Sequence, residues 1–151
     1  MRLSTVDDTR SFGERLAGVL RPGDLVILSG PLGAGKTALA QGIGLGLGVA
    51  EPVTSPTFVI ARVHHGGRVP LVHVDAYRLG AVADPRAEVD DLDLDASVDG
   101  SVTVVEWGEG MVEQLADEHL EVRLVRRDDD AREVELRPSG GDWALRVAHL
   151  C

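Results

Sequence analysis

Residues 24–41 read DLVILSGPLGAGKTALAQ, and this stretch decides the fold of the chain. Its apolar run at 25–28 predicts a short buried strand, and the glycine-rich segment that follows matches G-x-x-x-x-G-K-[ST], the pattern of a phosphate-binding loop. The residues after the loop open a helix whose N-terminus would face the phosphates. Strand, loop and helix thus come in the order that a P-loop protein of the α/β class requires.

The loop pattern also predicts a ligand, because each position in it has a chemical task. Glycines allow backbone turns that point successive N–H groups at phosphate oxygens, a lysine adds charge against the β- and γ-phosphates, and a Ser or Thr hydroxyl ligates Mg²⁺. Lys36 is the only lysine in the chain, and every other Lys/Arg position is arginine. We therefore expect a nucleoside triphosphate and Mg²⁺ to be held by Gly30, Pro31, Leu32, Gly33, Ala34, Gly35, Lys36, Thr37 and Ala38.

Length and composition limit what else the chain does. With 151 residues, of which 44% are hydrophobic, it can form one core of ordinary size, so we expect a single P-loop domain over 1–151. A net charge of −10 disfavours a large nucleic-acid footprint, since phosphate contacts need a basic stripe. The short apolar runs and the polar N-terminus favour a cytoplasmic location without membrane contact.

Two helices are predicted around the first strand. Asp7 or Asp8 can cap a helix that runs to Leu20. The helix after the loop contains alternating glycines that favour a strand when taken alone, but an apolar stripe at i, i+4 and i+8 supports the helix: Leu39, Ile43 and Leu47. Each interior glycine costs about 1 kcal/mol, so we expect Gly42 and Gly46 to allow a close approach to the sheet.

The remaining strand-like runs predict a mixed sheet. The runs at 57–63 and 69–75 form an antiparallel hairpin, and the run at 101–106 ends in a glutamate. The runs at 120–125 and 133–137 form a final hairpin. Asp84-Pro85 predicts a short helix to about Asp91. Together with the parallel core that the loop requires, these elements predict a three-layer P-loop NTPase fold with a mixed, partly antiparallel sheet.

Two carboxylates stand at the ends of predicted strands. Asp75 ends the run at 69–75, and Glu106 ends the run at 101–106. Because ligands of α/β proteins bind beyond the carboxyl ends of the strands, both are candidates for the Mg²⁺ shell and for orienting the attacking water. The residues alone leave open which carboxylate fills which role. The predicted catalytic residues are Lys36, Asp75 and Glu106, and the predicted metal contacts are Thr37, Asp75 and Glu106.

Four segments in series resemble one known family. They are the loop at 30–37, Thr-Ser-Pro-Thr-Phe at 54–58, His-Val-Asp-Ala-Tyr-Arg-Leu at 73–79 and Val-Glu-Trp at 105–107. Their order and spacing are similar to those of the TsaE family of small bacterial ATPases, which are required for the threonylcarbamoyladenosine modification of tRNA. Gly108 stands where that family usually has proline after the tryptophan, which loosens the turn there.

The resemblance implies roles that the residues alone do not give. Ser55 and Thr57 correspond to a switch-like segment near the γ-phosphate. Asp75 corresponds to the acidic residue of an H-x-D-x-Y-R block, where we favour it as the residue that orients water, and Glu106 corresponds to a magnesium-associated glutamate. The resemblance also implies ATP as the nucleotide and a TsaB–TsaD heterodimer as the partner, whose turnover ATP hydrolysis supports. Contact with tRNA would then run through these partners.

Several alternatives stay open at the level of sequence. A small-molecule kinase or a nucleotide-dependent binding switch would use the same loop. The acidic segment 91–95 fits either a solvated surface or a docking face for a basic partner, and Trp107 fits either the site or the core. His73 lies between two valines on a predicted strand, so we expect a packed or edge histidine rather than a metal ligand.

Overall fold

The computed structural model describes residues 2–30, 35–49, 61–64, 67, 69–75, 100–106, 118–127, 131–148 and 150. Within these ranges the helices and strands follow in this order: β1 (Arg2–Leu3), α1 (Val6–Ala17), β2 (Leu25–Ser29), α2 (Lys36–Leu47), β3 (Ala61–His64), β4 (Leu71–Asp75), β5 (Val102–Glu106), β6 (His119–Arg126), β7 (Arg132–Ser139) and α3 (Trp143–Val147). None of these described helices is long and apolar enough to span a membrane.

The described strands form one seven-stranded sheet in the order β1-β7-β6-β2-β5-β4-β3. The four central strands, β6, β2, β5 and β4, are joined by parallel pairings. The outer pairings, β3 with β4, β6 with β7 and β1 with β7, are antiparallel. This confirms the predicted mixed, partly antiparallel sheet, and it puts β2, which leads into the phosphate loop, at the centre.

Strands β2 and β5, at the middle of the sheet, are buried on both faces. Val26 and Leu28 of β2 belong to a core cluster with residues of all three described helices. Leu25 and Ile27, which alternate with them and point to the other face, are at most 1% exposed. Burial on both faces explains why β2 is a continuous apolar run, and it is what a three-layer arrangement requires.

Helix α1 begins earlier in the chain than the sequence analysis predicted. Its N-cap is Thr5, whose hydroxyl accepts a hydrogen bond from the Asp8 N–H at 3.1 Å. The Asp8 carboxylate accepts in return from the Thr5 N–H, which completes a capping box. The expectation that Asp7 or Asp8 is the cap was therefore wrong, and the helix ends at Ala17 instead of Leu20. Asp8 serves as the second half of the box.

The segment after the loop is a helix despite its glycines, as predicted, but Gly42 and Gly46 face α1 and not the sheet. A Cβ at Gly42 would lie 2.1 Å from the Arg10 carbonyl oxygen, and one at Gly46 would lie 2.5 Å from the Ala17 Cβ. Both contacts are with α1, so the expected close approach to the sheet was wrong. The predicted apolar stripe covers the core instead, since its members are at most 2% exposed: Leu39, Ile43 and Leu47.

The C-terminal helix α3 was not predicted, and it is tied to the turn before β2. Arg146 donates to the Asp24 carboxylate and to the Val19 carbonyl oxygen, and its guanidinium lies 4.0 Å from the centre of the Trp143 ring. Trp143 itself is 2% exposed and belongs to the core cluster. The predicted helix at 84–91 and the first part of the predicted strand at 57–63 lie outside the described residues.

Candidate functional site

The loop after β2 is bounded by two glycines with left-handed backbones. Gly30 has a φ of 134°, and a Cβ there would lie 2.2 Å from the carbonyl oxygen of Leu124 on β6. Gly35 has a φ of 102° and forms the N-cap of α2. A side chain would be strained at either position. The loop residues between them lie outside the described part of the chain, and they include four predicted nucleotide contacts: Pro31, Leu32, Gly33 and Ala34.

The N-terminus of α2 suits an anion, and a comparison with α1 shows why. Both helices contain twelve residues. α1 has a capping box and two acidic residues in its first turn, which complement its N–H groups and its dipole. α2, all of which is described, has no side-chain cap and begins with Lys36 rather than with an acid. The partial positive charge of the helix N-terminus and the ammonium of Lys36 repel each other. A phosphate bound there would be attracted by both charges.

Lys36 is held close to the start of the loop. The residue is 6% exposed, and its Nζ donates a hydrogen bond of 2.7 Å to the carbonyl oxygen of Gly30. Burying an ammonium is costly without such a partner. The bond keeps the charge at Gly30, where the loop begins, and this suits the lysine of a phosphate-binding loop. Ala38, another predicted nucleotide contact, lies in the first turn of α2 and is half-buried.

The Thr37 hydroxyl and the Glu106 carboxylate lie together at the start of α2. The Thr37 hydroxyl donates a hydrogen bond of 3.2 Å to Oε1 of Glu106, which is 4% exposed. Mg²⁺ prefers hard oxygen donors, and it is usually held by one or two carboxylates together with waters and substrate phosphates. A hydroxyl and a carboxylate next to an anion-binding helix end therefore fit the donor set of a Mg²⁺–nucleotide site.

Strand pairing brings the second predicted carboxylate to the same edge of the sheet. β4 and β5 run parallel with Asp75 and Glu106 in register, and Glu106 is also in register with Leu28 of β2. The backbone of Asp75 thus ends β4 at the edge where the loop begins. The Asp75 side chain, Ser55 and Thr57 lie outside the described residues, so their assigned roles stay predictions.

His73 is a neighbour of the site that the sequence analysis did not assign to it. The residue is fully buried on β4, which lies between β3 and β5, so it is packed in the interior of the sheet and not at an edge. Its Nε2 lies 3.3 Å from Oε2 of Glu106. The two groups are close enough for an ion pair but are not aligned for a hydrogen bond in this conformation. The sequence feature that could have indicated this role is a polar ring within an apolar strand, two residues before Asp75.

A guanidinium also lies near the end of the loop. Arg132 begins β7, and its Nε would be 3.5 Å from a Cβ placed on Gly35. This proximity results from strand order, because the β6–β7 hairpin lies directly beside β2. The local sequence around Arg132 carries no signal that would have predicted it.

Helix α2 brings Lys36 to the Gly30 carbonyl oxygen, where the loop begins, and it brings Thr37 to the Glu106 carboxylate on β5, a parallel neighbour of β2. With β2 at the centre of a mixed sheet, this is the arrangement of a P-loop protein. A comparison with protein families narrows the class further. A family model described as "Threonylcarbamoyl adenosine biosynthesis protein TsaE" matches residues 3–134. The chain belongs to the TsaE family, as the four sequence segments indicated.

Individual relatives agree with this assignment over most of their length. A "tRNA threonylcarbamoyladenosine biosynthesis protein TsaE" of Streptomyces coelicolor is 56% identical over 141 residues, which are 89% of this chain and 93% of the relative. A protein of the same description from Bacillus subtilis is 36% identical over 145 residues, which are 95% of this chain and 88% of the relative. The crystal structure of Bacillus subtilis YdiB superposes with a TM-score of 0.81 at 30% identity, and the match covers 99% of this chain and 91% of that one.

Proposed function

We propose that this chain is the Mg²⁺-dependent ATPase component of the machinery that makes N6-threonylcarbamoyladenosine at position 37 of tRNA. The observation that carries the proposal is the pair of contacts from the start of α2, Lys36 to Gly30 and Thr37 to Glu106, in a member of the TsaE family. The first contact suits a triphosphate and the second suits its metal ion. ATP as the nucleotide follows from the resemblance and not from any base contact.

The residues divide the work of hydrolysis between them. Water attacks the γ-phosphorus, the bond to the β,γ-bridging oxygen breaks, and the products are ADP, inorganic phosphate and a proton. Lys36 and the N–H groups at the start of α2 stabilise charge on the phosphates. Thr37 and Glu106 would hold Mg²⁺, which when bound would supply positive charge against the phosphate oxygens. Asp75, at the end of the adjacent strand, orients the water. Positioning and charge supply most of the catalysis in this chemistry.

Partners complete the proposed function. We assign ATP hydrolysis to the support of turnover by a TsaB–TsaD heterodimer, with the tRNA bound by those partners. The net charge of −10 agrees with this division, because a protein that binds tRNA directly needs a basic surface. The chain would then act as a single domain in the cytoplasm, and its activity alone would be low.

The test is ATP hydrolysis by the purified protein with and without the TsaB–TsaD pair. We expect the pair to stimulate hydrolysis, and we expect Lys36→Ala to reduce it to background. Arg15→Ala is the matched control, because it also removes one cation, but from the exposed C-terminal end of α1. It should hydrolyse ATP like the wild type.

The outcome also separates the other readings of the loop. Phosphate recovered on a small molecule instead of in water would replace the proposal with a kinase. A Lys36→Ala variant that still supports tRNA modification would refute both the ATPase and a nucleotide-driven switch. Failure to bind the TsaB–TsaD pair would refute the partner assignment while leaving the nucleotide site in place.

A further inference from the structure

His73 is an unusual residue for its position. It lies on β4, an interior strand of the sheet, and it is fully buried. Its register partner on β5 is Val104, and its chain neighbour Val72 is 1% exposed. Neither ring nitrogen makes a hydrogen bond in this conformation. A buried polar group without a hydrogen bond destabilises the folded state, so an apolar side chain would serve the sheet at least as well.

The polar atom that His73 faces belongs to the proposed metal site. Glu106 has two carboxylate oxygens that point in different directions. Oε1 accepts the hydrogen bond from Thr37, and Oε2 lies 3.3 Å from Nε2 of His73. The imidazole therefore approaches the carboxylate oxygen that does not accept from Thr37.

Metal ligands usually need such a neighbour. Residues behind the ligands orient them through hydrogen bonds, and their loss weakens metal binding even though they never touch the ion. Hydrogen bonds of this kind are often long or poorly aligned in a ligand-free protein and tighten when the ligand binds. At 3.3 Å, Nε2 of His73 is within reach of Oε2 of Glu106 for such a bond.

We propose that His73 is a positioning residue for the metal site. Its Nε2–H donates to Oε2 of Glu106 and fixes the carboxylate so that Oε1 stays beside Thr37, ready for Mg²⁺. The inference rests on the proposed function, because it needs Glu106 to serve the metal ion. It extends that function by explaining why an interior strand carries a buried imidazole.

The experiment measures metal binding rather than turnover. Mn²⁺ replaces Mg²⁺ as a probe, and its binding to protein saturated with a non-hydrolysable ATP analogue is followed by electron paramagnetic resonance. Nucleotide affinity is measured separately in EDTA, and thermal unfolding is measured without ligands. The variants are His73→Leu, which removes the donor, and His73→Gln, whose amide nitrogen lies near the place of Nε2. Glu106→Gln tests the ligand itself.

A matched control lies at the start of a parallel strand, whereas Glu106 lies at the end of one. His119 begins β6, is half-buried, and has an Nδ1 without a hydrogen bond in this conformation. His119→Leu makes the same chemical change far from Glu106. We expect it to bind Mn²⁺ and nucleotide as the wild type does.

We expect His73→Leu to weaken Mn²⁺ binding by roughly 10- to 100-fold, as for other residues that orient a metal ligand. Nucleotide affinity in EDTA should be unchanged, the Tm should be equal to or above that of the wild type, and His73→Gln should recover most of the Mn²⁺ affinity. Wild-type Mn²⁺ affinity in His73→Leu, together with weak binding in Glu106→Gln, would overturn the role of His73 alone. Unchanged Mn²⁺ affinity in Glu106→Gln would overturn the metal site of the proposed function and the role of His73 with it. Equal losses in His73→Leu and His119→Leu, or a parallel loss of nucleotide affinity in EDTA, would also overturn the positioning role.

Discussion

The contact between α1 and α2 makes Gly42→Ala a sharp test of how the loop helix is held. A Cβ at Gly42 would lie 2.1 Å from the Arg10 carbonyl oxygen, whereas real Cβ atoms essentially never come closer than 3.0 Å to a neighbouring atom. The helices would therefore have to separate locally by about 0.9 Å, the difference between these distances. The obstacle is backbone of α1, which cannot rotate away as a side chain can.

Two opposing terms set the expected change in stability. Alanine is about 1 kcal/mol better than glycine in a helix interior. Overpacking of a tight contact costs about 1–3 kcal/mol, and a clash with backbone belongs at the upper end of that range. We expect Gly42→Ala to lower the free energy of unfolding by about 2 kcal/mol net. Urea denaturation followed by circular dichroism measures this directly.

The same displacement should affect the site, because α2 carries both Lys36 and Thr37. An error of about 1 Å in the placement of a catalytic group can reduce a rate by roughly 100-fold. We therefore expect ATP turnover to fall more than the folded fraction does. Gly100→Ala is the control, since a Cβ there has open space around it and should leave stability and turnover near wild type. Wild-type stability in Gly42→Ala would refute the argument that glycine is needed for this helix contact.

Three further predictions concern single side chains. Glu106→Gln should keep the fold, as measured by circular dichroism, and should reduce ATP turnover by roughly 100-fold or more. Loss of a residue that only orients a metal ligand already reduces metal affinity or activity by about 10- to 100-fold. Unchanged turnover would contradict the assignment of Glu106 to the metal site. Arg146→Leu should lower the free energy of unfolding by about 3 kcal/mol in a urea titration, because it leaves the largely buried Asp24 carboxylate without its ion-pair partner. A change under about 0.5 kcal/mol would show that the pair is only a surface contact. The hydrogen bond from Arg21 lowers the pKa of Asp142 below its usual value of 3.8, so the small stability that this bond contributes is present above pH 3.8 and is lost as the pH falls through the lowered pKa. Asp142→Asn should therefore differ from the wild type in Tm at pH 6 and converge with it in strong acid, and a difference that persists there would contradict this origin.

The parts of the fold that the sequence predicted correctly are those with a local cause. The strand β2 is an apolar run, and the start of α2 follows a sequence motif, so both follow from adjacent residues. The spacing of Thr5 and Asp8 is that of a capping box, which also indicates Thr5 as the cap of α1 in place of the predicted Asp7 or Asp8. The helix α3 was missed because its five residues are too short to show a periodicity.

The sequence near the glycines of α2 did not indicate which element packs against them. Alternating glycines in α2 indicated that something approaches the helix closely, but they did not indicate what. The structure shows that α1 approaches it, with Gly13 contributing from the other side of the contact. A glycine has no side chain whose chemistry could distinguish a sheet from a helix as the neighbour, so the partner depends on the tertiary arrangement.

The sequence by itself predicted a phosphate-binding loop, because the glycines, Lys36 and Thr37 are adjacent in the chain and form one motif. It also placed Glu106 at a strand end. Only the tertiary structure decided that Glu106 lies between Thr37 and His73, since this needs β5 to pair in parallel with both β2 and β4. Strand order arises from the burial of the whole sheet, which no single segment of the sequence specifies.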